Sequence, residues 1–345
     1  MQRNASKLAA LAAVAIASLV YSGVQGEARQ APQQGGGGGR GGRGAAPAAA
    51  PADAELHILH VQGNVHMLVG AGGNIALQVG DDGVLLVDTG LAANAEKVVA
   101  AIRTVSNKPI RYIVNTHVHP DHVGGNDVIG KLGSTIAGGN VGAGAGVGAG
   151  IIAHENVLNR MSAPTGQQAP FPTTAWPTDT YISKQKELFF NGESLQIIHQ
   201  PAAHTDGDSI VYFRKSDVIV AGDLFVTTTY PFIDSARGGN ITGIIAALNN
   251  MLDIAIPKAM QEGGTYIIPG HGRLTDEADL LEYRDMITII RDRIQDGVKR
   301  GQTLAQVKAG KPTLDYDARW GATSGFWTTD QFIEAVYNNL SKAKK

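Results

Sequence analysis

Ten residues, THVHPDHVGG from Thr116 to Gly125, constrain this chain more than any other stretch. They place His117, His119, Asp121 and His122 within six positions. Three imidazoles and a carboxylate that close together suit a borderline cation such as zinc. Just before them, Ile110 to Val114 is mostly β-branched, aromatic and apolar, the composition of a buried strand. A strand therefore delivers the cluster to a loop, where a rigid scaffold can aim several side chains at one point. If that loop is extended, His117 and His119 point the same way, while adjacent Asp121 and His122 diverge and can serve a neighbouring ion.

The 345 residues do not all read as globular. Residues 1–26 have the layout of an export signal: Arg3 and Lys7, an apolar run from Leu8 to Val20, then small residues up to Gly26. The run is shorter than the roughly 20 residues of a membrane span, so no stable insertion is expected after cleavage, and the mature chain is expected in the periplasm or outside the cell. Residues 27–53 are Gly, Ala, Pro and Gln with few apolar groups, a flexible linker. Within it, Arg40 and Arg43 among glycines look like a short RGG-type tract. Past residue 26, however, 27 basic residues face 31 acidic ones with no basic run, which argues against a nucleic-acid partner. With no cysteine in the chain, disulfides, a lipoprotein anchor and thiolate metal ligands are all excluded.

Residues 54–345 suffice for one large domain with a substantial core. Asn64 to Val69, Ile75 to Val79 and Val84 to Val87 read as strands separated by glycine turns. Ala92 to Thr104 carries Val98, Val99 and Ile102 at helical spacing. A second set of strands follows at Leu195 to His199, Ser209 to Phe213, Val218 to Ala221 and Tyr266 to Ile268. Helices are expected over Glu277 to Lys299 and over Asp330 to Lys342, the latter capped by Thr328 or Thr329. Two such halves imply an α/β (α+β) architecture, two packed sheets with helices outside. The Gly/Ala run Gly138 to Gly150 shows no preference and reads as a surface insertion.

A catalytic metal needs a third protein ligand and an open position. His204, in the loop PAAHTDGD, is the leading candidate; His271, in PGHG, and Asp223, closing the strand before it in AGD, also stand at strand ends beside glycine.

These motifs in order resemble the metallo-β-lactamase superfamily, and Asp88 in LLVDTG looks like that family's first motif. The resemblance implies a four-layer αββα sandwich with the site at one edge. It implies two Zn2+ ions: one on His117, His119 and His204, a second on Asp121, His122 and His271, with Asp223 bridging them. It further implies that Asp88 supports the metal loop from behind, and that Gly70 to Asn74 is a flexible flap.

Such a pair lowers the pKa of a shared water to about 7, so a bridging hydroxide could attack an ester, lactone, thioester or amide carbonyl of a small-molecule substrate, with Asp121 orienting it and relaying its proton. The bridging Asp223 resembles glyoxalase II-like and lactonase-like members, where the better-known β-lactamases carry Cys or Ser. Hydrolysis of β-lactams is the alternative, and a metal-binding accessory protein without turnover is a second. Trp176, Tyr181, Tyr230 and Phe232 are candidates to line the pocket, while His57, His60, His66, His154 and His199 are expected to stand apart from the metals.

Overall fold

A computed structural model describes residues 55–135, 148–162, 168–261 and 263–342. The segments expected to be a leader and a linker, and most of the Gly/Ala run, lie outside the described residues.

Alternation decides the layers. In β4 (Gly83–Val87), Val84 and Leu86 face α1 (Ala95–Val105), where Val98 and Ile102 are fully buried. Leu85 and Val87 point the other way, into a core between the sheets. All five β4 residues are buried, which is why the run is continuously apolar. The first sheet runs in chain order: β1 (His57–Gln62), β2 (Val65–Val69), β3 (Ile75–Gly80), β4, β5 (Ile110–Val114), β6 (Gly150–His154) and β7 (Asp179–Tyr181). Pairing is antiparallel up to β4 and parallel from β4 to β7. The short helices α2 (Pro120–Val123), α3 (Asn126–Leu132) and α4 (Glu155–Met161) come from its connections.

The second sheet holds β8 (Gln185–Phe190), β9 (Glu193–His199), β10 (Ser209–Phe213), β11 (Val218–Val226), β12 (Tyr266–His271) and β13 (Thr275–Asp276), ordered 13-12-11-10-9-8. Its inner residues Val218, Val220 and Ile268 meet Leu85 and Val87 in the inter-sheet core. Its outer residues Ile219, Ala221 and Ile267 meet α5 (Ile241–Leu252), α6 (Glu277–Lys299) and α9 (Thr329–Lys342). Each fully buried Ile or Leu on these faces contributes about 1.5–3 kcal/mol, so the faces themselves hold the layers together. Two small helices, α7 (Leu304–Ala309) and α8 (Asp317–Trp320), complete the C-terminal side. The order helix, sheet, sheet, helix is the expected αββα sandwich.

The helix expected over Glu277 to Lys299 has those bounds, with Asp276 capping it. Thr328 caps α9 through Gln331, whose backbone N–H it accepts. Three features differ from expectation. β1, β6, β7 and β8 are strands that no sequence pattern marked; β7 and β8 are edge strands with mixed exposure, so neither shows a clean apolar run. Helix α5 was likewise unmarked: its Ile-rich stretch has no helical preference of its own, but Ile241, Ile244, Ile245 and Leu248 bury one stripe against the second sheet. Finally, β11 does not stop at Asp223 but continues to Val226, with its register against β12 shifting between Gly222 and Val226. That irregularity re-aims a side chain without ending the strand. Among the described residues, no helix is long and apolar enough to cross a membrane.

Candidate metal centre

The loop after β5 divides in two. It bends through Thr116 to Val118 and is extended at His119, and the His117 and His119 rings meet, Nε2 of one 3.1 Å from Nδ1 of the other. Pro120, whose ring suits the first helical position, then starts the single turn α2. On that turn Asp121 and His122 do not diverge as adjacent strand residues would. His122 Nε2 lies 3.8 Å from Asp121 Oδ2.

The second sheet closes the site. His204 comes from the β9–β10 connection, and its Nε2 stands 2.9 Å from His119 Nδ1. His271 ends β12, with Nε2 3.2 Å from Asp121 Oδ2. Asp223 lies between them: Oδ2 is 3.9 Å from His117 Nε2 and 3.7 Å from His204 Nε2, while Oδ1 is 3.2 Å from His122 Nε2 and 3.4 Å from His271 Nε2. The structure thus gathers all seven named residues into two groups, His117/His119/His204/Asp223 and Asp121/His122/His271, with the ligand-type atoms of each group within 4.8 Å of one another.

Close approach is built into the backbone. A Cβ on Gly270 would fall 2.0 Å from Asp223 Oδ1, and one on Gly73 would fall 2.4 Å from the His122 ring. Only glycine lets these chains pass so near the cluster. Gly73 also marks a correction. The Gly70 to Asn74 turn is not a free flap but is pinned: Gly73 N–H donates to Asp121 O, Asn74 N–H to Gly270 O, and the Asn74 side chain to Pro269 O and Gly272 O.

The outer nitrogens of four histidines are fixed as well. Asp88 Oδ2 takes the His122 Nδ1 proton at 2.8 Å and also accepts the Thr116 hydroxyl, which in turn lies 3.0 Å from His117 Nδ1. Phe232 O accepts from His204 Nδ1 at 2.7 Å, and Asp234 Oδ2 from His119 Nε2 at 2.9 Å. At His117 and His204 the bond to the outer nitrogen leaves the inward nitrogen a bare lone pair, while at His122 and His119 it fixes the orientation of the ring. Asp88 sits at φ 67°, a costly conformation for a non-glycine residue, held by its four hydrogen bonds.

The two groups differ electrostatically. Burial, with His122 and His204 nearby, holds His117 well below the ordinary imidazole range, and burial with His119 pushes His204 down to about 4. At His122 burial opposes ionisation, but Asp223, Asp121 and Asp88 outweigh it and raise the ring well above the usual range. The same contest at His271, with Asp223 and Asp121 prevailing over burial, gives a pKa of about 9. Asp223 stays ionised despite burial because His271 and His122 face it.

A metal fits this arrangement. Asp121 Oδ1, His122 Nε2 and Asp223 Oδ1 are buried without a hydrogen-bond partner, an expensive condition for three polar atoms converging on one place.

Residues 68–271, more than half of the chain, match the model of the metallo-beta-lactamase superfamily. The chain belongs to that superfamily. It is 26% identical over 254 residues, 64% of its own length and 46% of the other's, to a linear primary-alkylsulfatase of Pseudomonas sp. (strain ATCC 19151). It is 24% identical over 196 residues, 56% and 53% of the two lengths, to a beta-lactamase-like protein 2 homolog of Caenorhabditis elegans. It therefore spans about half the length of the curated relatives it matches. Among solved structures, the stereoselective inverting sec-alkylsulfatase of Pseudomonas sp. aligns with TM-score 0.60 and 17% identity over 82% of this chain and 50% of that one. A metallo-beta-lactamase from Pontibacter korlensis aligns at 0.51 and 16% over 68% and 99%. These likenesses are of fold.

A cavity of about 260 Å³ opens on the metallo-beta-lactamase centre, lined at its base by His119, Asp223 and His271. Of the four aromatic candidates only Phe232 lines it. Trp176 donates its Nε1–H to Phe171 O, Tyr181 pairs with the Ser209 hydroxyl between the sheets, and Tyr230 is fully buried, donating to Asp317 and Thr313 O; all three are packing residues. His154 stacks on His199 at 3.6 Å and His60 meets His66 at 5.2 Å, both pairs outside the two groups. Sequence reasoning missed Asp234, which no motif signals, and Phe326 and Trp327, in a loop beyond the matched region.

Proposed function

We propose that this chain is a zinc-dependent hydrolase whose two ligand groups would hold two ions with Asp223 facing both, and that it cleaves the bond between carbonyl carbon and heteroatom in an ester, lactone, thioester or amide. The observation that carries the reading is Asp223, with one oxygen turned to each group and the floor of a small-molecule-sized cavity beside it. Bound there, two zinc ions would supply Lewis acidity, activating water near neutral pH and polarising the scissile bond. The chain supplies the rest. His117 and His204 present neutral lone pairs beside His119; Asp121 Oδ1, free of any partner, can orient a water and accept its proton; and the cavity admits the substrate.

Sulfate-ester hydrolysis is a second reading, favoured by two relatives named as alkylsulfatases. Purified chain loaded with zinc, beside a chelated control, should be assayed on esters, lactones, thioesters, a chromogenic cephalosporin and alkyl sulfates. Turnover lost on chelation and restored by zinc is expected, with His119→Ala folded but inactive; full activity without metal refutes the reading. The chain is also proposed to act in the periplasm or outside the cell, on the strength of residues 1–26, and N-terminal sequencing of the mature protein tests that.

A further inference from the structure

The wall of the cavity away from the ligand groups comes from two segments. One begins at the end of β11 and supplies Val226, Thr228, Thr229 and Phe232; the other, between α8 and α9, supplies Ala322, Ser324, Phe326 and Trp327. The second segment lies beyond the part of the chain that matches the superfamily model, so the shared motifs do not specify it.

Its aromatic face is preorganised. Phe232 packs edge-to-face on Phe326 at 4.9 Å and on Trp327 at 4.8 Å, and its other neighbours are the His119 and His204 rings, each at 5.7 Å. The Trp327 Nε1–H donates to Pro231 O, which spends the only polar group of the indole outside the cavity. The segment is closed at its base by a reciprocal pair, Thr329 N–H to Ala322 O and Ala322 N–H to the Thr329 hydroxyl. Neither Lys nor Arg nor Asn lines this cavity; its polar groups above the ligand residues are the side chains of Thr228, Thr229 and Ser324. An ionised group on the non-reacting part of a substrate would therefore lose its water with no charged partner.

We infer that the part of the substrate remote from the scissile bond is a short, uncharged apolar arm, an alkyl chain or small ring, seated on Phe232, Phe326 and Trp327. The inference rests on the hydrolase reading above. At about 30 Å³ per water-sized group, the 260 Å³ cavity holds the reacting group and an arm of about six carbons. Carbonyl and sulfate esters can both carry such an arm.

The test uses zinc-loaded full-length chain, with hydrolysis of methyl butyrate, methyl hexanoate, monomethyl adipate and hexyl sulfate followed by pH-stat. Binding of 3-hexanone and 3-octanone, unhydrolysable analogues of the first two esters, is followed by calorimetry. The expected result is a gain of about fourfold in kcat/KM or affinity per added methylene. Monomethyl adipate should be at least tenfold poorer than methyl hexanoate, and Trp327→Ala should flatten the chain-length slope; turnover of hexyl sulfate instead of the esters would move the arm to that reaction. If no ester or sulfate is cleaved but 3-octanone still binds more tightly than 3-hexanone in a Trp327-dependent way, the hydrolase reading fails and the arm site stands. Turnover or binding indifferent to chain length, to the adipate charge and to Trp327 overturns the inference and leaves the hydrolase reading intact.

Discussion

The two ligand groups lie against one another and share Asp223, yet they are opposites. His117, His119 and His204 form a buried imidazole triad in which crowding and desolvation keep His117 and His204 uncharged. Asp121, His122 and His271 form a mixed group in which the carboxylates raise both histidines above the ordinary imidazole range. The first is ready to bind a cation; the second holds its own positive charge in place. Proximity of ligands thus does not set their readiness. The sign of the neighbouring charges does.

Asp223→Ala would break the comparison most severely, since one carboxylate faces both groups. Turnover should fall by more than the roughly 100-fold typical of losing an outer-layer partner, and bound metal should drop below that of wild type by elemental analysis. Asp234→Ala acts on the triad alone, freeing the His119 ring; a loss of about 10–100-fold in metal affinity or activity is expected, with the mixed group still able to bind.

Acidification separates the groups differently. Because His271 carries its proton below about pH 9 and His122 is raised as well, affinity at the mixed group should fall by at least tenfold per pH unit as pH drops from 9. At the triad, His204 titrates only near 4 and His117 is held well below the ordinary imidazole range, so these two ligands add no proton competition as pH drops from 8 and affinity there should fall less steeply than at the mixed group. Zinc titrations at several pH values check both slopes. The smallest effect belongs to Thr116→Val. Its hydroxyl links His117 to Asp88, and through Asp88 to His122, so both groups should weaken together by about fivefold, the equivalent of about 1 kcal/mol.

Much of this centre was legible in the sequence because its ligands sit in short, unusual strings beside glycines: THVHPDH, AGD and PGHG. The strands that carry them were legible too, since buried β4, β11 and β12 read as apolar runs, although β11 and β12 extend past the stretches the pattern marked. What could not be read was anything set by contacts across the fold. Asp234 reaches His119 from 115 residues away, and nothing around it marks the role. Phe326 and Trp327 reach Phe232 through a loop whose local sequence resembles any other. The Gly70 to Asn74 turn was expected to be a flexible flap from the family resemblance, yet here glycine serves close packing and the turn is fastened by backbone hydrogen bonds.

The central claim is that two unlike metal sites share Asp223. Calorimetric titration of metal-free protein with zinc at pH 7, run in two buffers of different ionisation enthalpy, tests it most directly. The account predicts two equivalents per chain: a first bound with little proton release, and a second that releases the protons of His271 and His122. Saturation at one equivalent, or two steps with the same proton release, would contradict it.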